Sequence, residues 1–433
     1  MVIRARTALF AALLSPLALL SDSRPWLTLI GVGAVVLIVW CIDFLLAAAP
    51  SAIGLVRRLP HSVTLGSEST LRWELSNRST STAHLEVADG LAPSLGAKTR
   101  RAALDLIAGQ TATVEIDIEP SRRGRFILED FTIRSSGPLG FAARQKTRRI
   151  PETLRVLPRY PSRAEAELRL KRHRLDVGLR TTRARGGGSE FDQLRDFTID
   201  DEFRKIDWSA TARTGRTIVR TYRAERNQTV INVLDNGRLM AGQVAAVPRV
   251  EHAMDAIMAV TTVATGLGDR AGLLIFDREI RASVPASARA AQLGRVTRAM
   301  YAIEPELAES DYRGAFTHVL TRFARRTMLV IHTDLVEQSV GEFLLPALPL
   351  LTRNHVVVVA AVRDPEVDLW ARQSPQDAEA SYRHAAARDA LAERRRTIAA
   401  MRRQGATVVD AQPGKLAGRL IDRYLDAKST GRI

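Results

Sequence analysis

The hydrophobic rhythm of the chain changes three times. Residues 26–49, WLTLIGVGAVVLIVWCIDFLLAAA, form one apolar run with a single charge, Asp43. A run of this kind crosses a hydrocarbon core, which takes about 20 apolar residues. A shorter run covers residues 7–20, TALFAALLSPLALL. It spans only if Val2 and Ile3 join it and Arg4 and Arg6 reach back to the interface. The rival reading is a signal peptide with a basic start and a short apolar centre. A transmembrane helical hairpin over residues 1–54 is the expectation, with Asp43 near enough to a helix end to reach the interface instead of acting inside the membrane.

From residue 63 to 157, within a module expected over 55–160, the period becomes two. Leu71-Arg72-Trp73-Glu74-Leu75 and Val114-Glu115-Ile116-Asp117-Ile118 alternate apolar with polar, as half-buried antiparallel strands require. Turn residues such as Asn77-Arg78-Ser79, Asp89-Gly90 and Arg123-Gly124 separate them. This spacing predicts a small all-β sandwich. Residues 162–176 read as a charged helix or linker.

After Asn227, apolar strands alternate with helical stretches over residues 229–433. Strands are expected at 229–234, 271–276 with an extension at 280–284, 327–332, 355–362 and 407–409. Helical spacing runs through 249–266, 288–301, 312–325, 341–351, 376–403 and 415–427. Near-continuous apolar strands between helices predict an α/β fold with a doubly wound, mostly parallel sheet. Ligands of such sheets sit beyond the carboxyl ends of the strands. Asp235 ends the first strand and Thr333-Asp334 follows another, so both carboxylates face one rim.

The segment between these modules, within 161–228, is the densest in polar groups: SEFDQLRDFTIDDEFRKIDWSATARTGRTIVRTYRAERNQ. Its carboxylates, Asp196, Asp200, Asp201, Glu202 and Asp207, admit two readings. One is a catalytic pair. The other, which we favour, is a structural network with Arg195, Arg204, Arg213 and Arg220 that locks the segment onto the sheet while Trp208 packs below. Gly186-Gly187-Gly188 lacks the Gly-Lys-Ser/Thr ending of a phosphate loop, which argues against nucleotide binding.

Bulk composition narrows the classes. A length of 433 residues implies more than one core. The net charge is +16, and 57 of the 63 basic residues are arginine, spread through every region. A generally basic face near an anionic leaflet accounts for this. Nucleic-acid binding rests on charge alone, because the arginine-rich helix at 381–403 has no aromatic platform and reads as solvated or lipid-facing. The one cysteine, Cys41, excludes an internal disulfide and a cysteine-type zinc site. No histidine pair has metal spacing, and His332 and His355 read as satisfied core residues. Arg4 and Arg6 precede the first apolar run and Arg57 and Arg58 follow the second, which places residues from about 55 onward in the cytoplasm.

The polar segment resembles the hallmark of domain-of-unknown-function family 58. Arg195, Phe197, Asp200, Asp201, Arg204, Ile206, Asp207, Trp208, Ala212, Arg213, Gly215, Val219, Arg220 and Glu225 occupy its pattern, with Ile199 where a glycine is usual. Arg123-Gly124-Arg125-Phe126 and Gly137-Pro138-Leu139-Gly140-Phe141 are similar to elements of the family's β-module, with Gly137 in place of the usual aspartate. The resemblance implies a domain similar to von Willebrand factor type A domains, a MoxR-type AAA+ ATPase as partner, and no established enzymatic activity. Type A domains hold a divalent cation on an Asp-x-Ser-x-Ser loop, a later hydroxyl and a second aspartate. Here Gly237 and Leu239 replace both loop hydroxyls and Arg238 adds a cation. Asp235, Thr333, Asp334 and either Ser310 or Asp311 remain. They hold Mg²⁺ weakly through waters, or Arg238 neutralises Asp235 and Asp334 and no metal binds; the second is the expectation.

The resulting expectation is a protein-interaction or assembly factor of the bacterial inner membrane, without cofactor or nucleic acid. Its A-like domain would dock an AAA+ ATPase or a client on the rim formed by Asp235, Gly237, Arg238, Ser310, Asp311, Thr333 and Asp334. The alternative is a metal-dependent, hydrolase-like enzyme using Asp235 and Asp334.

Overall fold

The structure is a computed structural model and describes residues 2–3, 5–16, 25–183, 190–198, 201, 203, 206–223, 227–335, 340–431 and 433. The chain divides into two compact units, Met1–Leu157 and Pro158–Ile433.

In the first unit, α2 (Pro25–Leu46) is 22 residues long, about 33 Å at 1.5 Å per residue. Leu27, Ile30, Leu37, Ile38 and Leu45 stand exposed on it. Apolar side chains on every face of a helix suit lipid, not water. Among the described residues it is the one helix long and apolar enough to cross a membrane. Among the described residues the expected transmembrane hairpin is not confirmed. Val2 and Ile3 do not extend the first helix; they form β1, paired with Ala142 and Ala143. The helix that follows, α1 (Ala5–Leu14), has 10 residues and spans only about 15 Å. It lies against the β-module, where Thr7 Oγ1 donates to the Phe141 carbonyl at 2.6 Å and Phe10 meets the Phe141 ring at 5.2 Å.

The β-module contains β2 (Ile53–Arg58), β3 (Val63–Thr64), β4 (Ser69–Asn77), β5 (Ala83–Asp89), β6 (Arg101–Leu106), β7 (Thr111–Ile118), β8 (Gly124–Ser136) and β9 (Ala142–Leu157). One sheet runs β2-β4-β7; the other runs β1-β9-β8-β5-β6, with β3 added beside β9. The alternation read from the sequence sends Leu71, Trp73 and Leu75 of one sheet and Leu85, Val87, Phe131 and Ile133 of the other into a single core. Trp73 meets Phe131 edge-on at 5.2 Å.

Asp43 departs from expectation. It does not run out to the interface but is fully buried. Its Oδ1 accepts from the Leu139 amide at 2.7 Å, and Oδ2 accepts from the amides of Phe141 and Ala142 at 2.7 and 2.8 Å. The last turns of α2 therefore cap the β8–β9 turn. A Cβ on Gly137 would collide with this carboxylate, which is why glycine stands there.

The second unit opens with α3 (Arg163–Arg183), followed by β10 (Glu190–Asp196), α4 (Trp208–Thr214) and β11 (Ile218–Arg223). A mixed six-stranded sheet comes next. Its strands are β12 (Thr229–Asp235), β15 (Arg270–Phe276), β16 (Ile280–Ser287), β17 (Met328–His332), β18 (Val356–Val362) and β19 (Thr407–Ala411), in the order β16-β15-β12-β17-β18-β19. All neighbours are parallel except β15 and β16. A short hairpin, β13 (Gln243–Val244) and β14 (Val247–Pro248), follows the one-turn α5 (Arg238–Ala241). The remaining helices are α6 (Arg249–Gly266), α7 (Gln292–Met300), α8 (Tyr312–Arg322), α9 (Leu345–Thr352), α10 (Pro365–Trp370), α11 (Ala378–Arg403) and α12 (Leu416–Ser429).

The central strand shows why its run is apolar throughout. Val230 packs with α6 and α12. Leu234 packs with α6 and α7. Ile231 and Val233 pack with α8, α9 and Met401 of α11. Both faces of the sheet are thus covered by helices, and every residue of β12 after Thr229 is buried.

Candidate functional site

The rim beyond the carboxyl ends of the strands gathers three buried aspartates, Asp235, Asp277 and Asp334. Asp235 is 1% exposed. Its Oδ1 accepts from the Gly237 amide at 2.9 Å and from Ser310 Oγ at 2.5 Å. Its Oδ2 accepts from Tyr312 Oη and Thr333 Oγ1, each at 2.6 Å. Three hydroxyls and one amide thus fill the carboxylate, and a buried anion is tolerated on those terms. Burial, with Asp235 beside it, pushes the Tyr312 phenol far above its usual range, so it stays a protonated donor.

Gly237 and Ser310 explain each other. A Cβ on Gly237 would strike Ser310 Oγ and come within 2.9 Å of the Ala308 carbonyl. The hydroxyl missing from the loop after β12 is supplied from the loop before α8.

Asp334 is held by different groups from those expected. Arg394 donates to its Oδ1 at 3.0 Å, and Arg249 Nε lies 3.2 Å from Oδ2. Arg394 also donates to Asp410 at 2.9 Å and to the Val362 carbonyl at 3.1 Å. Arg238 neutralises neither aspartate; it pairs with Glu309 at the surface. Asp311 is likewise not on the carboxylate: it caps α8, accepting from the Gly314 amide at 2.9 Å. A third aspartate, missed in the sequence, completes the rim. Asp277 follows β15 and is fully buried, accepting from Arg281 at 2.6 Å and Asn236 at 3.2 Å. Burial alone would raise its pKa, but these donors win and hold the carboxyl below its usual value.

These donors do not fit a magnesium centre, which asks for about six oxygens in octahedral array. The hydroxyls point their protons at Asp235, Ser310 fills the place of a loop side chain at 237, and two guanidinium groups sit on Asp334. Among the described residues no three His, Cys, Asp or Glu side chains converge as metal ligands.

The polar segment before β12 folds on itself. Among the described residues, β10 and β11 pair with each other and Val219 of β11 bridges Ile206, with no strand pairing to the main sheet. Arg195 grips Asp201 with both terminal nitrogens, one at 2.7 Å. Thr198 donates its amide and hydroxyl to the same carboxylate at 2.9 and 2.7 Å. The Arg195 guanidinium and the Thr198 donors hold the Asp201 carboxyl well below the usual range. Asp207 caps α4, accepting from the amides of Ser209 and Ala210 at 3.0 Å, and Arg220 binds its other oxygen at 2.7 Å. Donation from the Ser209 hydroxyl, then from Arg220, lowers its pKa too. Arg213 reaches back to the Ser209 carbonyl at 3.2 Å. Of the favoured network, the described residues show two separate pairs, Arg195 with Asp201 and Arg220 with Asp207. Trp208 does not pack below it: the ring is 70% exposed. Asp200, Arg204 and Glu225 lie outside the described residues, as does Gly186-Gly187-Gly188.

Two histidine expectations need correction in part. His332 is buried and bonds Asn232 Oδ1 through Nε2 at 3.1 Å, but its Nδ1 has no partner. His355 is buried with neither ring nitrogen bonded. Sequence reasoning also missed Tyr312, Arg249 and Arg394. Tyr312 directly follows a named candidate, Asp311. Arg394 was hidden in a helix read as solvated, although Ala387 and Met401, seven residues to either side, are buried on its face.

The described residues thus comprise an N-terminal helix apolar enough to cross a membrane, a β-sandwich, and a mixed α/β unit with a buried polar rim. The model of the family described as "Protein of unknown function DUF58" matches residues 193–407, and the chain belongs to that family. Uncharacterized proteins of Mycobacterium bovis and Mycobacterium tuberculosis are 26% identical over 186 residues, 42% of this chain and 58% of theirs. The match thus spans little more than half the length of those relatives. Among solved structures, the conserved hypothetical protein BatB from Bacteroides thetaiotaomicron is 14% identical, with a TM-score of 0.32, over 47% of this chain and 100% of that one. Part of native alpha-2-macroglobulin from Escherichia coli is 21% identical, with a TM-score of 0.22, over 25% of this chain and 17% of that one. At these scores neither likeness bears on function.

Proposed function

We propose that this chain is a membrane-anchored interaction factor whose α/β unit, arranged as a doubly wound, von Willebrand factor A-like sheet, docks a protein partner in the cytoplasm. The partner implied by the family resemblance is a MoxR-type AAA+ ATPase or its client. The observation that carries the reading is the filling of Asp235 by Ser310, Tyr312, Thr333 and the Gly237 amide. A general base or a metal ligand must offer a lone pair to an incoming group. This carboxylate offers none without breaking internal bonds. The competing reading, a metal-dependent hydrolase on Asp235 and Asp334, needs carboxylates open to an ion, and Asp334 is committed to Arg394 and Arg249.

Co-expression of the full chain with a MoxR-type ATPase from the same genome, followed by affinity capture from native membranes, tests the proposal. A stable complex is expected. Failure to recover the ATPase from membranes that contain both proteins contradicts it.

A further inference from the structure

The groove beside the rim has a chemistry of its own. Strands β18 and β19 are parallel neighbours, with Val362 opposite Ala411. Beyond their carboxyl ends lie two cavities of about 420 and 370 Å³, walled by α10, α11 and α12. They share Arg363, Ile398 and Asp410, so they form one trough with Arg363 in the middle. Eight arginines and four aspartates line it in total.

The acids are already engaged. Asp410 is bound by Arg394. Asp368 faces Arg363 at 3.1 Å and accepts from Gln412 at 3.2 Å. Asp422 pairs with Arg169, and Asp426 lies 3.7 Å from Arg423. Arg372, Arg388, Arg395 and Arg402 are exposed, and none has an acidic partner among the described residues. The Nε of Arg363 is buried and lacks a hydrogen-bond acceptor despite its ion pair. Like charges crowded around a trough favour an anionic guest.

The shape selects among anions. No aromatic side chain lines either cavity, so a nucleobase finds no stacking surface. The trough is open and runs to both sides of Arg363, which suits an extended chain with spaced carboxylates better than one compact ion. We infer that this trough binds an acidic peptide segment of the protein partner, its carboxylates seated on Arg363, Arg388 and Arg395. The inference rests on the docking reading above and names the surface and the chemistry that reading leaves open.

The test uses the full chain in detergent micelles and a fluorescein-labelled, Glu/Asp-rich dodecapeptide, read by fluorescence anisotropy. Arg388→Glu and Arg395→Glu alter exposed side chains that make no hydrogen bond or ion pair among the described residues, so folding is not at stake. Arg396→Glu makes the same charge change one residue away, outside the trough. The expected result is salt-sensitive binding, weakened about tenfold by each trough variant and little changed by R396E. No binding overturns the inference, as does equal weakening by R396E. Displacement of the peptide by inorganic phosphate or ATP at comparable concentration also overturns it. Capture of the co-expressed ATPase separates the two proposals. If wild type and the R388E/R395E chain recover it equally, the trough assignment fails and docking stands. If wild type recovers none, docking itself fails, whatever the peptide does.

Discussion

Ser310 Oγ occupies the space that a side chain on Gly237 would need, and from there it donates to Asp235 at 2.5 Å. The two positions are 73 residues apart in sequence yet act as one site. Gly137 and Asp43 repeat the relationship in the first unit: a glycine stands where a carboxylate from another element comes in.

Gly237→Ser should therefore destabilise the chain by about 1–3 kcal/mol, the usual effect of forcing atoms into a filled site. Adding Ser310→Ala should recover much of the loss, though not all, because the Ala308 carbonyl also crowds the position. Thermal unfolding of both single variants and the double variant gives the coupling. Simple additivity would show that the two positions do not share the space.

Asp43→Ala leaves three amides of the β8–β9 turn without their acceptor. Each buried orphan donor costs about 1–3 kcal/mol, so the loss should be large. Gly137→Asp should be harmful alone and should stay harmful in the Asp43→Ala background, because the Asp43 backbone carbonyl also crowds the position. Melting of the full chain in detergent decides this.

His332 should make the protein acid-labile. Burial pushes its pKa down to about 3, from an unfolded value of about 6.5. Below pH 6.5 the unfolded chain takes up a proton that the folded chain refuses, so stability falls with pH until the folded pKa is reached. Between pH 7 and 4.5 the loss is about 2–3 kcal/mol. Denaturant unfolding at several pH values measures it, and His332→Leu should flatten that part of the profile.

Asp201 works in a lower window. Its folded pKa is depressed, so its contribution is whole above the unfolded value of about 3.9 and is lost as pH falls through the folded value. Asp201→Asn should lower the melting temperature at neutral pH. The gap to wild type should narrow once the pH drops below about 4.

Much of the fold was legible because its signals are local. Period two places Trp73 and Leu75 in a core, and the β-branched run at 229–234 reads as a buried strand without any knowledge of its neighbours. Asp235, Thr333 and Asp334 were found because strand ends in parallel sheets meet at one rim. What failed was partner assignment. Arg238 is adjacent to Asp235 in sequence, yet its side chain pairs with Glu309, while Arg249 and Arg394 reach Asp334 from distant helices. Trp208 looked like a core residue by type, but capping by Asp207 starts α4 at that point and turns the ring outward. Val2 and Ile3 looked like helix by apolarity, and their pairing with β9 is a contact that no local pattern encodes.

Calorimetric titration of Mg²⁺ or Mn²⁺ into the full chain tests the central claim, that Asp235 is sealed by the chain's own hydroxyls. The account predicts no stoichiometric uptake in the micromolar range, and the same heat from wild type and from Asp235→Ala. Uptake of one ion per chain with micromolar affinity, abolished by Asp235→Ala, would contradict it.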